Sequence, residues 1–546
     1  RQHSCLQLDT KNTGLIEELK SLGIVGNGDT ATPLVLNDNR LYLHRYYQYE
    51  KGVAGQLISR NKSLSIPEDL QSNLRLYFDQ SGGTIDWQQI AAIQALTRQL
   101  TIITGGPGTG KTSTIVKILA ILLTDKTTSD MNVKLAAPTG KAAMRLAESI
   151  QQFLPQLPEA IRNLIPTKVQ TMHRLLGMRG NGREFRHDNH NPISADLLIV
   201  DEVSMVDLTL MHRLLDALPL NTRLILLGDS EQLPSVDAGN VLADLCDNPP
   251  DYSQEFSALA SKLLSVDVPK GSDSHPLVDA RCHFQKSYRF SADRGIGQLA
   301  NMIRSGETYL ASSHDDEVQV QPLSSLNHDN CRKELSSYYF EYEMLIQDQE
   351  IDPLSLLSSF EQTRILCPLR DGELGVESLN REIESYLESK QVKPAGQDFY
   401  HGRPIIITRN DYGLGLYNGD IGICILDGKD NQAKVAFLEA TGTVKLYLAR
   451  RLHPHETCFV MTVHKSQGSE FDHVTLIMPR PTSPAAEQLL TRELVYTAAT
   501  RARNSIAIYS DEDTWSAAVT RTGNRMSGLS YFLESAQTKD EQMDLF

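Results

Sequence analysis

The 546-residue sequence lacks long apolar segments, and none approaches the roughly 18 consecutive apolar residues of a membrane-spanning helix. Its first residues, RQHSCLQLDT, also lack the basic start and the apolar block of a secretion signal. We therefore expect a soluble, cytoplasmic protein without a membrane partner. Because the sequence begins with Arg1 and not with methionine, we also expect the true N-terminus to lie upstream.

Cysteine pairs and net positive charge are also missing. The seven cysteines are scattered and form no Cys-x-x-Cys pair, which argues against a disulfide framework or a zinc site and favours reduced thiols. With 53 Lys plus Arg against 68 Asp plus Glu, the net charge is −15. A protein that coats itself in nucleic acid is normally basic, so we expect any nucleic acid contact to be confined to a narrow, locally basic channel.

The order of apolar segments predicts several domains. Residues 1–84 show no catalytic spacing and are predicted to form a small N-terminal helical or docking domain, truncated at its start. From about residue 85, short apolar strands alternate with amphipathic helices, which is typical of parallel sheets in an α/β protein. We assign 85–282 to a first α/β domain and 283–394 with 456–546 to a second one. Residues 395–455 show short strands split by Asn, Gly and Asp turns, which predicts an inserted small β-barrel.

Two segments do not fit this pattern. Residues 247–283 are rich in Pro, Gly, Ser and Asp and are predicted to be an insertion or a mobile connection. Residues 307–362 are acidic and poorly patterned, so we assign no structure to them. No internal repeat at a solenoid period is evident, which argues against a repeat architecture.

The segment TIITGGPGTGKTSTIVKILAILL predicts a phosphate-binding loop, because it has the G-x4-G-K-T spacing between an apolar strand and a helix. In such a loop backbone N–H groups and the helix N-terminus bind phosphates. Lys111 would reach the β and γ phosphates of ATP, and Thr112 would ligate Mg²⁺. The candidate nucleotide-binding residues of this loop are Gly105, Gly106, Pro107, Gly108, Thr109, Gly110, Lys111, Thr112 and Ser113.

Two polar segments follow later apolar strands. LLIVDEVSMVD places Asp201 and Glu202 at a strand end, where Asp201 would hold Mg²⁺ and Glu202 would orient or deprotonate the attacking water. Such paired acids are also common as solvated caps, but the upstream phosphate loop favours the functional interpretation. In RLILLGDSEQLPSVDAG, Gln232 would lie on the ligand-binding edge of the same sheet and contact the γ-phosphate. The alternative for Gln232 is a polar side chain in a turn.

Two further segments contain arginines that could reach a γ-phosphate. QKSYRF contains Arg289, and ELVYTAATRARNS contains Arg501 and Arg503 on a predicted helix. An arginine supplied to the γ-phosphate accelerates hydrolysis by about 10³ to 10⁵ in other phosphate-loop enzymes. The alternative for each arginine is a surface salt bridge.

The order of these segments resembles the motifs of superfamily 1 helicases, and more narrowly those of the RecD family, the alpha subunit of exodeoxyribonuclease V. The resemblance covers about residue 40 to about residue 530 and implies two RecA-like motor domains with ATP between them. It also implies 5′ to 3′ movement along single-stranded DNA. The segments that carry it are DWQQIAA, GGPGTGKTS, APTGKAAMRL, TMHRLLG, IVDEVSMVD, LLGDSEQLPSVDAG, QKSYRF, MTVHKSQGSEFD and LVYTAATRAR.

The resemblance implies further residue roles. Gln88 is similar to an adenine contact, Gln232 to the γ-phosphate sensor, and Glu470 to a residue near the ribose and phosphates. Arg289 and Arg501 are similar to the two arginine fingers of the family. The implied DNA contacts are Pro138, Thr139, Lys141, Thr171, His173, Thr462, His464 and Lys465. Their hydroxyl, imidazole and ammonium groups suit contacts with phosphates without base readout.

The resemblance also implies a heterotrimer with the beta and gamma subunits of exodeoxyribonuclease V, with the N-terminal region docked on the gamma subunit. Its substrates would be single-stranded DNA and duplex DNA ends in recombinational repair. Alternatives are a stand-alone RecD-like helicase, a relaxase-linked motor, or a regulatory subunit that controls a partner's nuclease. A nuclease within this chain is disfavoured, because the Glu388-x-Lys390 pair has no upstream metal-binding Asp and suits a solvated helix face.

Overall fold

The chain divides into two compact units. The first unit comprises Arg1–Ser230, Pro234–Tyr288 and Asn524–Phe546, and the second comprises Glu231–Leu233 and Arg289–Gly523. Within the described residues, no helix combines the length and the apolar character needed to cross a bilayer. The computed structural model describes residues 2–8, 13–79, 83–125, 128–178, 184–271, 275–308, 316–326, 328–348, 350–411, 413–426, 432–439, 442–452, 454–523 and 525–535.

The first unit contains ten strands and eleven helices among its described residues. The strands are β1 (Cys5–Gln7), β2 (Val25–Gly26), β3 (Leu34–Asn37), β4 (Arg40–Leu43), β5 (Leu100–Gly105), β6 (Val133–Ala137), β7 (Val169–Thr171), β8 (Leu197–Val200), β9 (Arg223–Gly228) and β10 (Arg281–Phe284). The helices are α1 (Thr13–Ser21), α2 (His44–Arg60), α3 (Leu70–Tyr77), α4 (Trp87–Thr97), α5 (Lys111–Thr124), α6 (Gly140–Phe153), α7 (Glu159–Arg162), α8 (Met172–Leu175), α9 (Leu208–Asp216), α10 (Val241–Leu245) and α11 (Gln254–Leu264).

The main sheet of the first unit has six parallel strands in the order β10-β5-β9-β8-β6-β7. Every residue of β5 and β9 is buried, because helices cover both faces of a central parallel strand. The α/β class with parallel sheets is therefore confirmed. Residues 247–283, predicted to be an insertion or a mobile connection, contain α11 and the edge strand β10 in their described part.

The N-terminal part of the first unit contains a small sheet in the order β1-β4-β3-β2 beside its helices. These four strands were not predicted, because segments of two to four residues are too short to show an alternating pattern. The rings of Tyr42 and Tyr47 pack edge to face at 5.6 Å, and Tyr47 packs on Phe532 at 5.3 Å. This aromatic cluster joins the N-terminal and C-terminal segments of the same unit.

The C-terminal segment 525–535 belongs to the first unit, although all of 456–546 was predicted to belong to the second domain. The buried carboxylate of Glu50 accepts hydrogen bonds from the hydroxyls of Ser4 and Ser527 and, at 3.0 Å, from the backbone N–H of Gly528. A buried carboxylate is stable only when such donors replace water. Glu50 therefore joins the segments around Ser4 and Ser527 within the first unit.

The second unit contains ten strands and eight helices among its described residues. The strands are β11 (Val318–Pro322), β12 (Thr363–Cys367), β13 (Pro404–Ile407), β14 (Ile421–Leu426), β15 (Ala433–Leu438), β16 (Val444–Leu448), β17 (His455–Thr457), β18 (Val460–Thr462), β19 (Phe471–Ile477) and β20 (Ala502–Ser510). The helices are α12 (Gly295–Ser305), α13 (His328–Ser337), α14 (Phe340–Ile346), α15 (Pro353–Gln362), α16 (Val376–Ser389), α17 (Pro484–Leu489), α18 (Arg492–Ala499) and α19 (Glu512–Thr520).

The second unit is built on two sheets. One is parallel, in the order β11-β20-β19-β12-β18, and the other is antiparallel, in the order β16-β15-β14-β13-β17. The described part of 307–362, to which no structure was assigned, supplies the edge strand β11 and helices α13 to α15. Tyr339, which directly precedes α14, and Phe360 of α15 are buried in the core and stack at 5.6 Å.

Candidate functional site

The predicted phosphate loop connects β5 to α5 in the first unit. Gly110 has a φ of 85°, and a Cβ atom at this position would lie 2.3 Å from Nε2 of Gln88. The backbone angle therefore favours glycine here, and an added Cβ atom would displace the Gln88 carboxamide. Because the first N–H groups of α5 have no partner within the helix, they and the positive end of its dipole form an anion-binding site.

The loop is fixed by its own polar groups. Nζ of Lys111 donates to the carbonyl oxygens of Gly105 and, at 3.1 Å, Gly106. The hydroxyl of Thr109 donates to the same Gly106 oxygen at 2.8 Å. These bonds hold a positive charge over the loop, where phosphate oxygens are expected to bind. The remaining loop residues predicted for this site lie in the same segment: Pro107, Gly108, Thr112 and Ser113.

Gln88 connects the start of α4 to the phosphate loop. Its backbone N–H donates to Oδ1 of Asp86 at 2.9 Å, which caps the helix. Its Nε2 donates to the carbonyl oxygen of Thr109 at 3.0 Å, and the side chain is buried. The cap and the loop bond together fix the carboxamide next to the phosphate loop.

Ser287 and Tyr288 also contact this loop, and neither was predicted from the sequence. Oγ of Ser287 donates to the carbonyl oxygen of Pro107 at 3.2 Å, and the N–H of Tyr288 donates to that of Gly108 at 2.8 Å. Tyr288 is 62% exposed, and the pKa of its hydroxyl is raised by partial burial and then by the carboxylate of Asp86. An exposed ring beside the loop could stack on a base. Its place immediately before Arg289 in QKSYRF is the signal that could have identified it.

Asp201 and Glu202 follow β8 in the same sheet. The N–H of Asp201 donates to the carbonyl of Ala136 at 2.9 Å, and the N–H of Glu202 donates to Oδ1 of Asp201 at 2.8 Å. Burial and the neighbouring Glu202 carboxylate raise the pKa of Asp201 to about 7, whereas Lys111 acts to lower it. A positive charge bound at this position would therefore favour the ionised form of Asp201.

Gln232 follows β9 of the first sheet in sequence but groups with the second unit. Strand β9 ends at Gly228, and the three residues Glu231–Leu233 group with the second unit. The hydroxyl of Thr497 accepts a hydrogen bond from the N–H of Leu233 at 2.8 Å, and the Leu233 side chain lies in the core of the second unit. Sequence order alone could not predict this, because the bonds that hold the segment come from distant residues. The sensor role of Gln232 stays a prediction.

Arg289 and Glu470 are brought together in the second unit. One guanidinium nitrogen of Arg289 lies 2.7 Å from Oε1 of Glu470, and Nε of Arg503 lies 3.2 Å from Oε2 of the same carboxylate. Arg503 also lies 3.7 Å from Asp472. It belongs to β20 and not to the predicted helix, which ends at Ala499. The Glu470 carboxylate thus pairs with both Arg289 and Arg503. Arg289 is one of the two predicted arginine fingers.

Arg501 lies between α18 and β20 and is buried. Its Nε donates to the carbonyl of Thr497 at 3.1 Å, and NH1 donates to that of Ser469 at 2.9 Å. The carbonyl of Arg501 accepts from the N–H of Phe471 at 2.8 Å. Two N–H donors of the Arg501 guanidinium group therefore bond to backbone carbonyl oxygens, and these bonds fix the direction of the side chain.

The candidate DNA contacts of the first unit lie on two neighbouring strands. Pro138 follows β6 and Thr171 ends β7, and Ala137 pairs with Thr171 in parallel register. The hydroxyls of Thr139 and Thr171 each cap a helix, by accepting from the N–H of Ala142 and that of Arg174, both at 3.2 Å. These hydroxyls therefore stabilise helix starts. Lys141 lies in the first turn of α6, and half-buried His173 lies in α8, where burial lowers its pKa.

The candidate DNA contacts of the second unit follow β18. The hydroxyl of Thr462 accepts from the N–H of Lys465 at 3.3 Å, and a single turn of 3₁₀ helix covers His464–Ser466. Nζ of Lys465 lies 3.0 Å from the carboxylate of Glu456, which also pairs with Arg370 at 2.7 Å. A DNA phosphate would compete with Glu456 for these cations.

Comparison with known proteins gives two family matches. Residues 88–238 match the AAA domain family, and this segment contains the phosphate loop and the acidic pair. Residues 457–509 match the UvrD-like helicase C-terminal domain, and this segment contains Glu470 and Arg501. A crystal structure of Pif1 helicase from Bacteroides, in complex with ADP-AlF3 and single-stranded DNA, is 18% identical, covers 88% of this chain and 98% of its own, and gives a TM-score of 0.40.

The similarity to curated proteins is more extensive. The RecBCD enzyme subunit RecD of Haemophilus influenzae is 37% identical over 538 residues, which are 92% of this chain and 81% of that protein. The ATP-dependent RecD2 DNA helicase of Deinococcus radiodurans is 29% identical over 514 residues, which are 93% of this chain and 61% of that protein. The chain therefore belongs to the RecD family, and it is an ATP-dependent DNA helicase.

Proposed function

We propose that this chain is the 5′ to 3′ motor subunit of an exodeoxyribonuclease V helicase-nuclease that acts on double-strand DNA ends in recombinational repair. The layout of the first parallel sheet carries the proposal. Its carboxyl edge bears the phosphate loop after β5, the acidic pair after β8, and candidate DNA contacts after β6 and β7. A motor must connect nucleotide chemistry to a DNA contact, and a single rigid sheet provides that connection. The polarity rests on the family resemblance.

ATP and Mg²⁺ are the cofactors of this proposal. Oxygen donors suit magnesium, and the Thr112 hydroxyl and the Asp201 carboxylate are such donors. The buried Asp201 carboxyl, whose pKa is raised to about 7 by burial and by Glu202, is a group that a bound cation would stabilise in its charged form. The ion would supply charge neutralisation of the phosphates.

The residues of the chain then have distinct roles in hydrolysis. Lys111 binds the β and γ phosphates, and Glu202 orients or deprotonates the attacking water. Gln232, Arg289 and Arg501 act on the γ-phosphate, and Glu470 lies near the nucleotide. Gln88 contacts the adenine from its fixed position beside the phosphate loop.

Single-stranded DNA binds along residues of both units: Pro138, Thr139, Lys141, Thr171, His173, Thr462, His464 and Lys465. The chain carries a net charge of −15, so its affinity for DNA must come from such local contacts and from partner chains. Contacts with the sugar-phosphate backbone give little sequence preference, which suits movement along any strand.

The finer architecture belongs to the same proposal. Both parallel sheets are RecA-like, and the antiparallel sheet of β13 to β17 is the inserted Src-homology-3-like barrel. Residues 1–84 form the N-terminal domain that docks on the gamma subunit, and the beta subunit completes a cytoplasmic heterotrimer. The relative named as a subunit of the RecBCD enzyme, at 37% identity, supports this assembly.

An unwinding assay with tailed duplexes tests the function. Duplexes with a 5′ or a 3′ single-stranded tail are incubated with ATP, Mg²⁺ and the chain, with and without its beta and gamma subunits. We expect unwinding from the 5′ tail, strengthened by the partner chains. Preference for the 3′ tail would overturn the polarity, and full processive unwinding without partners would favour a stand-alone helicase.

The substitution Lys111→Gln separates the motor from a purely regulatory subunit. It keeps the approximate size of the side chain but removes the ammonium that holds the phosphates. We expect DNA-stimulated ATP hydrolysis to be lost while the heterotrimer still assembles, as measured by phosphate release and size-exclusion chromatography. Normal translocation of this variant along a tailed duplex would show that the chain is not the motor.

A further inference from the structure

We propose that Thr497 and Gln467 are positioning residues that clamp the backbone of Leu233 and thereby place the side chain of Gln232 for sensing the γ-phosphate. The inference rests on the proposed function, since it concerns the predicted sensor of the same nucleotide. Neither Thr497 nor Gln467 was assigned a role from the sequence.

The clamp consists of two hydrogen bonds to one residue. Oγ1 of Thr497 accepts from the N–H of Leu233 at 2.8 Å, and Nε2 of Gln467 donates to the carbonyl oxygen of Leu233 at 2.7 Å. Thr497 is fully buried, Gln467 and Leu233 are nearly so, and the Leu233 side chain is part of the second unit's core. Both backbone polar groups of Leu233 are thus satisfied away from water, where an unpaired group is costly.

Thr497 and Gln467 each also contact another predicted functional segment. The carbonyl oxygen of Thr497 accepts from Nε of Arg501 at 3.1 Å, so the same residue contacts both Leu233 and a predicted arginine finger. Gln467 follows the turn that begins at His464, and its N–H donates to the His464 carbonyl at 3.3 Å. One backbone segment next to Gln232 is therefore bonded to the arginine segment and to the candidate DNA segment.

This arrangement determines which unit carries the sensor. Although Gln232 follows β9 of the first unit in sequence, the two bonds attach its neighbour Leu233 to α18 and to the residue after the His464 turn. A shift of either element would move the Leu233 peptide and with it the adjacent Gln232. The clamp thus sets the backbone position from which the Gln232 side chain would sense the γ-phosphate.

The test uses the full chain assembled with its beta and gamma subunits. Thr497→Val removes the acceptor hydroxyl but keeps the shape, and Thr497→Ser keeps the hydroxyl. Thr500→Val is a matched control, because Thr500 is also buried next to α18 but its hydroxyl donates to the carbonyls of Tyr496 and Thr497 and not to Leu233. Melting temperatures of all three variants show whether each is folded.

We expect Thr497→Val to lower kcat for DNA-stimulated ATP hydrolysis about tenfold, with less change in KM for ATP, since the sensor acts after binding. The number of ATP molecules hydrolysed per base pair unwound should rise, and Thr497→Ser should restore both values. Equal losses in Thr497→Val and Thr500→Val would mean that Thr497 is only structural and would overturn the inference.

A second variant, Gln467→Met, removes the amide donor at nearly constant length. Because both bonds hold the same residue, the double variant with Thr497→Val should lose little more than the worse single variant. Fully additive losses would show that the two residues act separately and would contradict a shared clamp. If the unsubstituted complex showed no DNA-stimulated hydrolysis, the proposed function itself would fail, which is a different result from either of these.

Discussion

Arg289 and Glu470 form an ion pair of 2.7 Å in the second unit, with the Arg289 side chain 30% exposed and that of Glu470 16% exposed. The resemblance implies that Arg289 is an arginine finger and that Glu470 lies near the ribose and phosphates. Their contact suggests a further task for Glu470, which is to hold the guanidinium in one direction. A finger that is already oriented loses less conformational freedom when it binds a phosphate.

Glu470→Gln should therefore lower kcat for DNA-stimulated ATP hydrolysis by about 10-fold to 100-fold. A small displacement of a catalytic group lowers the reaction rate by a factor of that size. Steady-state phosphate release measures it. Asp472→Asn is the control, since Asp472 lies near Arg503 at 3.7 Å and not in the Arg289 pair. An unchanged kcat in Glu470→Gln would argue that the pair does not position Arg289.

Gly110→Ala should destabilise the phosphate loop for two separable reasons. The left-handed backbone at a φ of 85° costs a non-glycine residue about 1–3 kcal/mol. The added Cβ would also collide with Nε2 of Gln88, at 2.3 Å. Gly83→Ala, at a φ of 92° and with no atom near its Cβ, carries the backbone cost alone.

Thermal unfolding and KM for ATP measure the two contributions. We expect Gly110→Ala to lower the melting temperature more than Gly83→Ala does, and to raise KM for ATP, which Gly83→Ala should leave unchanged. Adding Gln88→Ala to Gly110→Ala should recover part of the lost stability. Equal behaviour of the two alanine variants would show that the contact with Gln88 is unimportant.

Asp201→Asn should stabilise the nucleotide-free chain at neutral pH while abolishing hydrolysis. Burial and Glu202 raise the pKa of Asp201 to about 7, so the folded state binds this proton more tightly than the unfolded state. Stability from this group is complete at low pH and decreases as pH rises from the usual carboxyl range through about 7. The variant should therefore melt higher than the unsubstituted chain at pH 8 but equally at pH 4.

Asp244→Asn is the matched control for this experiment. Burial, with smaller effects of Glu50 and Asp247, raises the pKa of Asp244 to about 7 as well, but this residue lies in α10 and not at the phosphate loop. Asp244→Asn should therefore also melt higher than the unsubstituted chain at pH 8 and equally at pH 4. Its ATP hydrolysis should be retained. A pH-independent effect of Asp201→Asn would contradict a protonated carboxyl in the free protein.

Thr139 and Lys141 should have separable effects, although both are candidate DNA contacts. Thr139→Ala removes the cap of α6 and should cost about 1 kcal/mol of stability, which Thr139→Ser should restore. Lys141→Ala should weaken single-stranded DNA binding. It should also reduce the slope of log affinity against log salt by about 0.7, as expected for one lost phosphate contact. An unchanged slope would exclude Lys141 from the DNA contact.

The local features of the site were predictable, because each is encoded in a short segment. The phosphate loop follows from the spacing of Gly105, Gly110 and Lys111 beside a buried strand and a helix. The acidic pair at Asp201 likewise follows from its place after an apolar run. Tyr288 and Thr497 were missed, since their roles come from contacts with the loop at Gly108 and with Leu233, which are far away in the sequence.

The fold was predictable to a similar extent. Apolar runs such as RLILLG identify the strands of a parallel sheet, because helices on both faces require continuous burial. The short strands near the N-terminus and the helices of 307–362 carry too few residues, or too little periodicity, to be recognised. The place of β10 at the edge of the first sheet is set by pairing with β5, about 180 residues earlier in the chain.

The sequence by itself determined the family, the nucleotide chemistry and the presence of parallel α/β sheets, because these depend on residue types at fixed short spacings. Only the tertiary structure decided that Gln232 groups with the second unit, that segment 525–535 returns to the first, and that Arg289 is paired with Glu470. The physical reason is that each of these depends on hydrogen bonds, ion pairs or core packing between residues that are distant in the chain. Such pairings leave no pattern in the sequence around either of the two paired residues.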